Sequence, residues 1–292
     1  MLLAILLLLT GCVTSRLDLR DEAPLTRQDR ELSRASLDRI DALARQHQFS
    51  NAGWSQALRD ARGAVDRCGT RGEMRQAIAR LLQSTDRSHV AVIAGSATQP
   101  GVDDATPDFR VDHTNRVLVL TVGRLISPET LNPLIEHELT SAKPSGVVID
   151  LRGNTGGVLA LAAGVAGFFV DLDTPLGEVR QGGSSIPLVA HPRAVRSNAK
   201  LAVVIDAHTA SAAEILAAGL QASGRAHIFG ATNSAGAALP AVIEQLPNGD
   251  CFEYPVGVFV TSVGVSLEGR GVTPDVISTD PLADATAWAA QH

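Results

Sequence analysis

The sequence predicts an α/β fold preceded by a small N-terminal helical domain, and three observations carry that expectation. Leu201–Ile205 and Gly146–Leu151 are short apolar runs rich in β-branched residues, the pattern of strands buried on both faces. Helical stretches follow them, Ala213–Ser223 and Val158–Phe169, and strands alternating with helices imply a mixed core. Ahead of that region, Thr26–Gln46, Trp54–Arg67 and Glu73–Leu82 read as helices, with Leu32, Leu37, Ile40 and Leu43 spaced along one face of the first.

Composition narrows the class. A chain of 292 residues can hold one large domain and a small one, and 45 % hydrophobic content supplies a core built from Ala, Val and Leu, since aromatics are only 3 %. A net charge of −6 leaves no basic footprint, which argues against a nucleic-acid partner. Cys and His occur nowhere at ligand spacing, so neither a metal nor an organic cofactor is implied. Lys143 and Lys200 are the only lysines.

Taken in order, Leu2–Leu9 is an unbroken apolar run, far shorter than the roughly 20 residues that span a bilayer. It reads as the apolar part of a signal peptide over residues 1–11. Leu9-Thr10-Gly11-Cys12 resembles the bacterial lipobox, whose cysteine is diacylated and becomes the mature N-terminus, although the basic segment expected ahead of it is missing. The expectation is therefore a lipid-anchored protein of the bacterial envelope, facing the periplasm or the exterior; the alternative is an ordinary export signal with an incidental cysteine. Residues 12–25 form a tether, 26–93 the helical domain, 94–114 a Gly/Pro/Asp-rich linker and 115–292 the core domain. In an exported chain Cys68 and Cys251 could pair or stay as buried thiols, and the sequence leaves both open.

Within the core, Val117–Val122 reads as a strand and Pro128–Ser141 as a helix. Gly177–Ser197 is a hairpin or loop, Ala226–Phe229 a strand, Leu246–Asp250 a turn, Phe252–Val260 a strand pair, and Pro281–His292 a closing helix. Between the strand Leu201–Ile205 and the helix that follows lie Thr209, Ala210, Ser211 and Ala212, all small. A serine at such a turn is held rigidly, and the turn's N–H groups point at whatever its hydroxyl attacks. Ser211 is thus a candidate nucleophile, or else a plain helix cap. The loop Arg152-Gly153-Asn154-Thr155-Gly156-Gly157 allows close approach of backbone N–H groups to an oxyanion. It lacks the Lys-Ser/Thr of a phosphate loop and the spacing of a dinucleotide fingerprint.

DLRGNTGG, TASAAEILAAGLQASGRAHIFG and SLEGRGVTPD, taken together, resemble the C-terminal-processing or tail-specific serine peptidases, peptidase family S41, with their tricorn-like and interphotoreceptor-retinoid-binding-protein-like relatives. The resemblance runs from about Asn115 onward and implies a ClpP/crotonase-like β-β-α superhelix. It implies Ser211 as nucleophile, with the oxyanion held by the N–H of Ala212 and that of Gly156 or Gly157. In the processing branch a lysine serves as base, but its slot falls at Gly236 and no lysine follows Lys200. Arginine cannot stand in as a neutral base. The tricorn-like branch instead implies His89 as base, Ser88 as its hydrogen-bonding neighbour and Glu268 as the acid that orients the imidazole. The 94–114 stretch has no room for a PDZ module, so specificity for C-terminal tails does not follow. What is implied is a Ser-His-Glu endopeptidase acting on polypeptides of exported or envelope proteins. A peptidase fold that has lost catalysis and binds peptides or ligands is the main alternative. A crotonase-type acyl-transfer enzyme is another, though it has no use for the serine turn. His208 is a rival base, and the oligomeric state is not legible.

Overall fold

The computed structural model describes residues 21–85, 87–95 and 109–291. The expected signal peptide, the lipidation site Cys12, the tether up to residue 20 and most of the linker lie outside the described residues. In chain order the helices are α1 (Arg27–Gln46), α2 (Trp54–Arg67), α3 (Arg71–Leu82), α4 (Pro128–Ser141), α5 (Leu159–Ala166), α6 (Ala212–Ala222) and α7 (Pro281–Ala289). The strands are β1 (Ala91–Ile93), β2 (Phe109–Thr114), β3 (Val117–Val122), β4 (Gly146–Asp150), β5 (Pro175–Gln181) and β6 (Ser184–Val189), then β7 (Lys200–Ile205), β8 (Ala226–Gly230), β9 (Ala241–Gln245), β10 (Cys251–Pro255), β11 (Val258–Thr261) and β12 (Val276–Ile277). They divide into two compact units, and the helical one takes residues from both 13–103 and 241–256.

In the helical unit, α1 and α3 start at reciprocal capping boxes, Thr26 with Asp29 and Thr70 with Glu73. Leu37, Ile40 and Leu43 of α1, Trp54, Leu58 and Val65 of α2, and Ile78 and Leu81 of α3 are buried in one cluster. Phe252 and Tyr254 of β10 belong to the same cluster. Those two alternate with Cys251 and Glu253, so period-two geometry turns one face of the strand onto the helices. The sheet here is antiparallel, in the order β1-β10-β9. Cys68 and Cys251 are both free thiols.

The larger unit is built on a six-stranded sheet in the order β12-β8-β7-β4-β3-β2. Neighbours from β12 to β3 run parallel and β2 pairs antiparallel at the edge. The central strands β4 and β7 are buried almost throughout, as their unbroken apolar runs require. Val117, Val119, Val148, Ala202, Val204 and Phe229 pack one face against Ala285 and Ala289 of α7. A second sheet, β11-β5-β6, is antiparallel.

Three expectations change. Residues 109–114 of the expected linker form β2, because all of them pair in antiparallel register along the whole of β3. The expected strand pair over 252–260 is two strands of different sheets, β10 with β1 and β9, and β11 with β5. The expected core domain 115–292 is interrupted, since residues 241–256 group with the helical unit. Among the described residues no helix is long and apolar enough to cross a membrane.

Candidate active site

The larger unit concentrates unusual backbone at the carboxyl ends of two neighbouring parallel strands. β4 and β7 pair from Gly146↔Lys200 to Asp150↔Val204, which brings the loops that follow them side by side. Open α/β sheets bind ligands at such strand ends. After β7, Asp206 Oδ1 accepts the N–H groups of His208 (2.9 Å), Thr209 (2.9 Å) and, from the other loop, Gly153 (3.0 Å). The Thr209 hydroxyl donates to Leu151 O at 2.8 Å, a second bond between the two loops.

Ser211 follows at φ 56° and ψ −126°, a conformation that L-residues rarely adopt, and it is 2 % exposed. Helix α6 starts at the next residue. Such strain in a non-glycine residue persists only where its surroundings hold it. The Ser211 N–H donates to Ala237 O (2.9 Å) and to Glu214 Oε2 (3.1 Å). His208, beside this turn, is exposed.

The glycine loop meets the serine directly. A Cβ built on Gly156, whose φ is +102°, would lie 2.6 Å from Ser211 Cβ and 3.0 Å from Ala212 N. Only glycine permits that approach. The loop is braced by the buried Asn154, which donates through Nδ2 to Val122 O (2.9 Å) and accepts the Gly156 N–H on Oδ1 (2.8 Å). Its carbonyl accepts the Ala210 N–H at 2.9 Å. The Gly156 N–H is therefore already taken. Of the two glycines expected to offer an oxyanion donor, Gly157 remains. Among the described residues, neither the Gly157 N–H nor the Ala212 N–H is given to a protein acceptor.

Across from the serine turn, residues 234–238 are held by two carboxylates. Glu214, 0 % exposed, takes Ser234 Oγ–H, Gly236 N–H and Ala237 N–H, and Glu268 Oε2 takes Ala238 N–H at 3.1 Å. Burial pushes the Glu214 carboxyl up, against the pull of its hydrogen-bond donors. Gly236 itself has φ +70°, and a Cβ there would meet Arg270 N at 2.8 Å, so the position is shaped for glycine.

His89 and Ser88 belong to the helical unit. His89 is 4 % exposed with φ 57°, another strained non-glycine residue. Its Nδ1 lies 2.9 Å from Ser88 Oγ, and Nε2 is buried with no hydrogen-bond partner among the described residues. Desolvation lowers its pKa to about 4, which makes the ring neutral near pH 7. Ser211, Ala212, Gly156, Gly157 and Glu268 lie in the larger unit. Sequence reasoning passed over Asn154, Asp206, Glu214 and Ser234. The Ser-x-x-Glu pattern of a capping box was a visible signal for Glu214.

The family model for peptidase family S41 matches residues 132–278, just over half of the 292-residue chain. The chain belongs to peptidase family S41. This S41 chain is 30 % identical over 155 residues to a carboxy-terminal-processing protease of Bartonella bacilliformis, covering 51 % of this chain and 35 % of that one. It is 33 % identical over 141 residues to a carboxyl-terminal-processing protease of Picosynechococcus, covering 47 % and 33 %. The S41 chain thus aligns with about a third of the length of these curated relatives. A solved lipoprotein of Streptococcus agalactiae has the same α/β fold at a TM-score of 0.76, with 16 % identity, 91 % of this chain and 97 % of that one covered.

Proposed function

We propose that this S41 chain is a serine endopeptidase that cleaves polypeptides in the bacterial envelope, where a lipid on Cys12 anchors it. The observation that carries the proposal is Ser211 at φ 56° on the strand-to-helix turn, with Gly156 against its Cβ. Ser211 Oγ attacks the peptide carbonyl, and the hydroxyl proton passes to a general base. His89 is the base proposed, with Ser88 holding Nδ1 and the unpartnered Nε2 taking the proton. The neutral imidazole set by burial is the form a base must have. Glu268 supplies the compensating negative charge as the imidazolium forms. The tetrahedral oxyanion is met by the N–H groups of Ala212 and Gly157, and losing one such donor costs about 10²–10³ in turnover.

A reading as a catalytically silent binding protein draws on Gly236, whose φ of +70° and crowded Cα leave no place for a basic side chain. One experiment separates the two. Wild type, Ser211→Ala and His89→Ala are treated with a fluorophosphonate probe and assayed on unfolded casein. The peptidase reading expects an adduct on Ser211, its loss in Ser211→Ala, and a His89→Ala defect nearly as deep, since residues acting as a unit are not additive. Wild-type protein that neither labels nor hydrolyses casein leaves the binding reading standing.

A further inference from the structure

Glu214 is the most constrained ionisable group near the serine, and nothing in the mechanism above uses it. Its side chain is 0 % exposed on the first turn of α6. Oε1 accepts Ser234 Oγ–H at 2.6 Å and Gly236 N–H at 2.8 Å; Oε2 accepts Ala237 N–H at 2.9 Å and Ser211 N–H at 3.1 Å. A carboxylate offers about four lone-pair sites, and here each has a donor. A helix cap needs only the Ser211 bond. The other three donors come from a segment 20 to 23 residues further on.

Those bonds close a ring. Ala237 gives its N–H to Glu214 Oε2 and receives the Ser211 N–H on its carbonyl at 2.9 Å, while Glu214 receives the same Ser211 N–H. The peptide group entering Ser211 is therefore fixed from two sides, where its positive φ would otherwise relax. We propose that Glu214 is a positioning residue, holding Ser211 in its strained conformation and clamping residues 234–237 against it. The proposal rests on Ser211 being the nucleophile. The charge suits its place, because an anion in the first turn of a helix is favoured. The ionised form is also what four donors require, since a protonated or amide group offers a donor where an acceptor is needed.

The test is Glu214→Gln in the full chain, nearly isosteric but with an N–H₂ facing two donors. The fluorophosphonate labelling rate and kcat on casein are expected to fall together by about 10²-fold, the cost of a small misplacement of a reacting group, with KM within twofold of wild type. Labelling within twofold of wild type in folded Glu214→Gln overturns the proposal. Should Glu214→Gln not fold, Ser234→Ala removes one donor and keeps the carboxylate. It is expected to lower kcat alone by a few fold, and an unchanged labelling rate there overturns the proposal equally. Ser211→Ala separates this from the underlying reading: persistent labelling of that variant refutes Ser211 as nucleophile, whatever Glu214 does.

Discussion

Ser211 owes its geometry to a glycine that touches it. Gly156 combines φ +102° with a Cα so close that an added methyl would overlap Ser211 Cβ, Ala210 O and Ala212 N. Gly156→Ala should cost about 1–3 kcal/mol from the backbone conformation alone. The clash should also displace the nucleophile. We expect casein hydrolysis to fall by about 10²-fold, as with other small misplacements, with circular dichroism still native at 25 °C. Full activity in Gly156→Ala would show that the close approach has no part in turnover. At this scale the sequence disclosed the serine and the glycines, because a strand, a small-residue turn and a helix are local patterns. It did not disclose which N–H is spent. The Gly156 amide is consumed by Asn154, two residues earlier, in the Asx-turn pattern that an Asn ahead of glycines can form, a signal the sequence reading did not use.

Elements position the site through the paired ends of β4 and β7. Asp206, at the end of β7, gathers three N–H groups on one oxygen, including one from Gly153 in the loop after β4. Asp206→Ala strips a charged acceptor from all three, and hydrogen bonds to charged groups contribute about 1.5–3 kcal/mol each. We expect a lower midpoint in urea and slower fluorophosphonate labelling; a wild-type labelling rate would show that the turn holds itself. The helices were legible to within a few residues: Thr26 and Pro128 mark two starts, whereas α3 begins two residues before the expected Glu73, after the cap Thr70, and α5 ends at Ala166 rather than Phe169. The strands were less so. β2 has the burial pattern of an edge strand with one polar face and merged with the linker, and β9 carries only a brief alternation of buried and exposed residues. Phe252–Val260 read as one strand pair because a sequence shows extended character without showing which sheet receives it.

On the scale of the whole molecule, two buried groups shape stability against pH. Burial pushes the Glu253 carboxyl up to about 8 from 4.5, and Oε1 has no hydrogen-bond partner among the described residues. The folded state thus binds that proton more tightly than the unfolded one. Its contribution is complete below pH 4.5 and is lost as pH rises toward 8, by about 1.4 kcal/mol per unit. His89 acts in the opposite sense, with its contribution complete above pH 6.5 and lost as pH falls toward 4. Between pH 4.5 and 6.5 the two slopes cancel, so the unfolding free energy should drop from pH 6.5 to 8 because of Glu253. Urea titrations of Glu253→Gln should lack that drop, and an identical drop in the variant would reassign it to other groups.

The pairing of Ile93 with Cys251 has a consequence in time. About 160 residues of chain separate the two strands, and a ribosome working at about 5–20 residues per second needs roughly 10–30 s to deliver the second after the first. During that interval α1 to α3 have no Leu246, Phe252 or Tyr254 to close over one side of their apolar cluster, so a nascent chain leaves that side open to chaperones. The N-terminal helices are therefore expected to complete their core only after residues 241–256 arrive. They wait for a late return of the chain, and a fragment ending before residue 241 should be a client for chaperones rather than a stable domain.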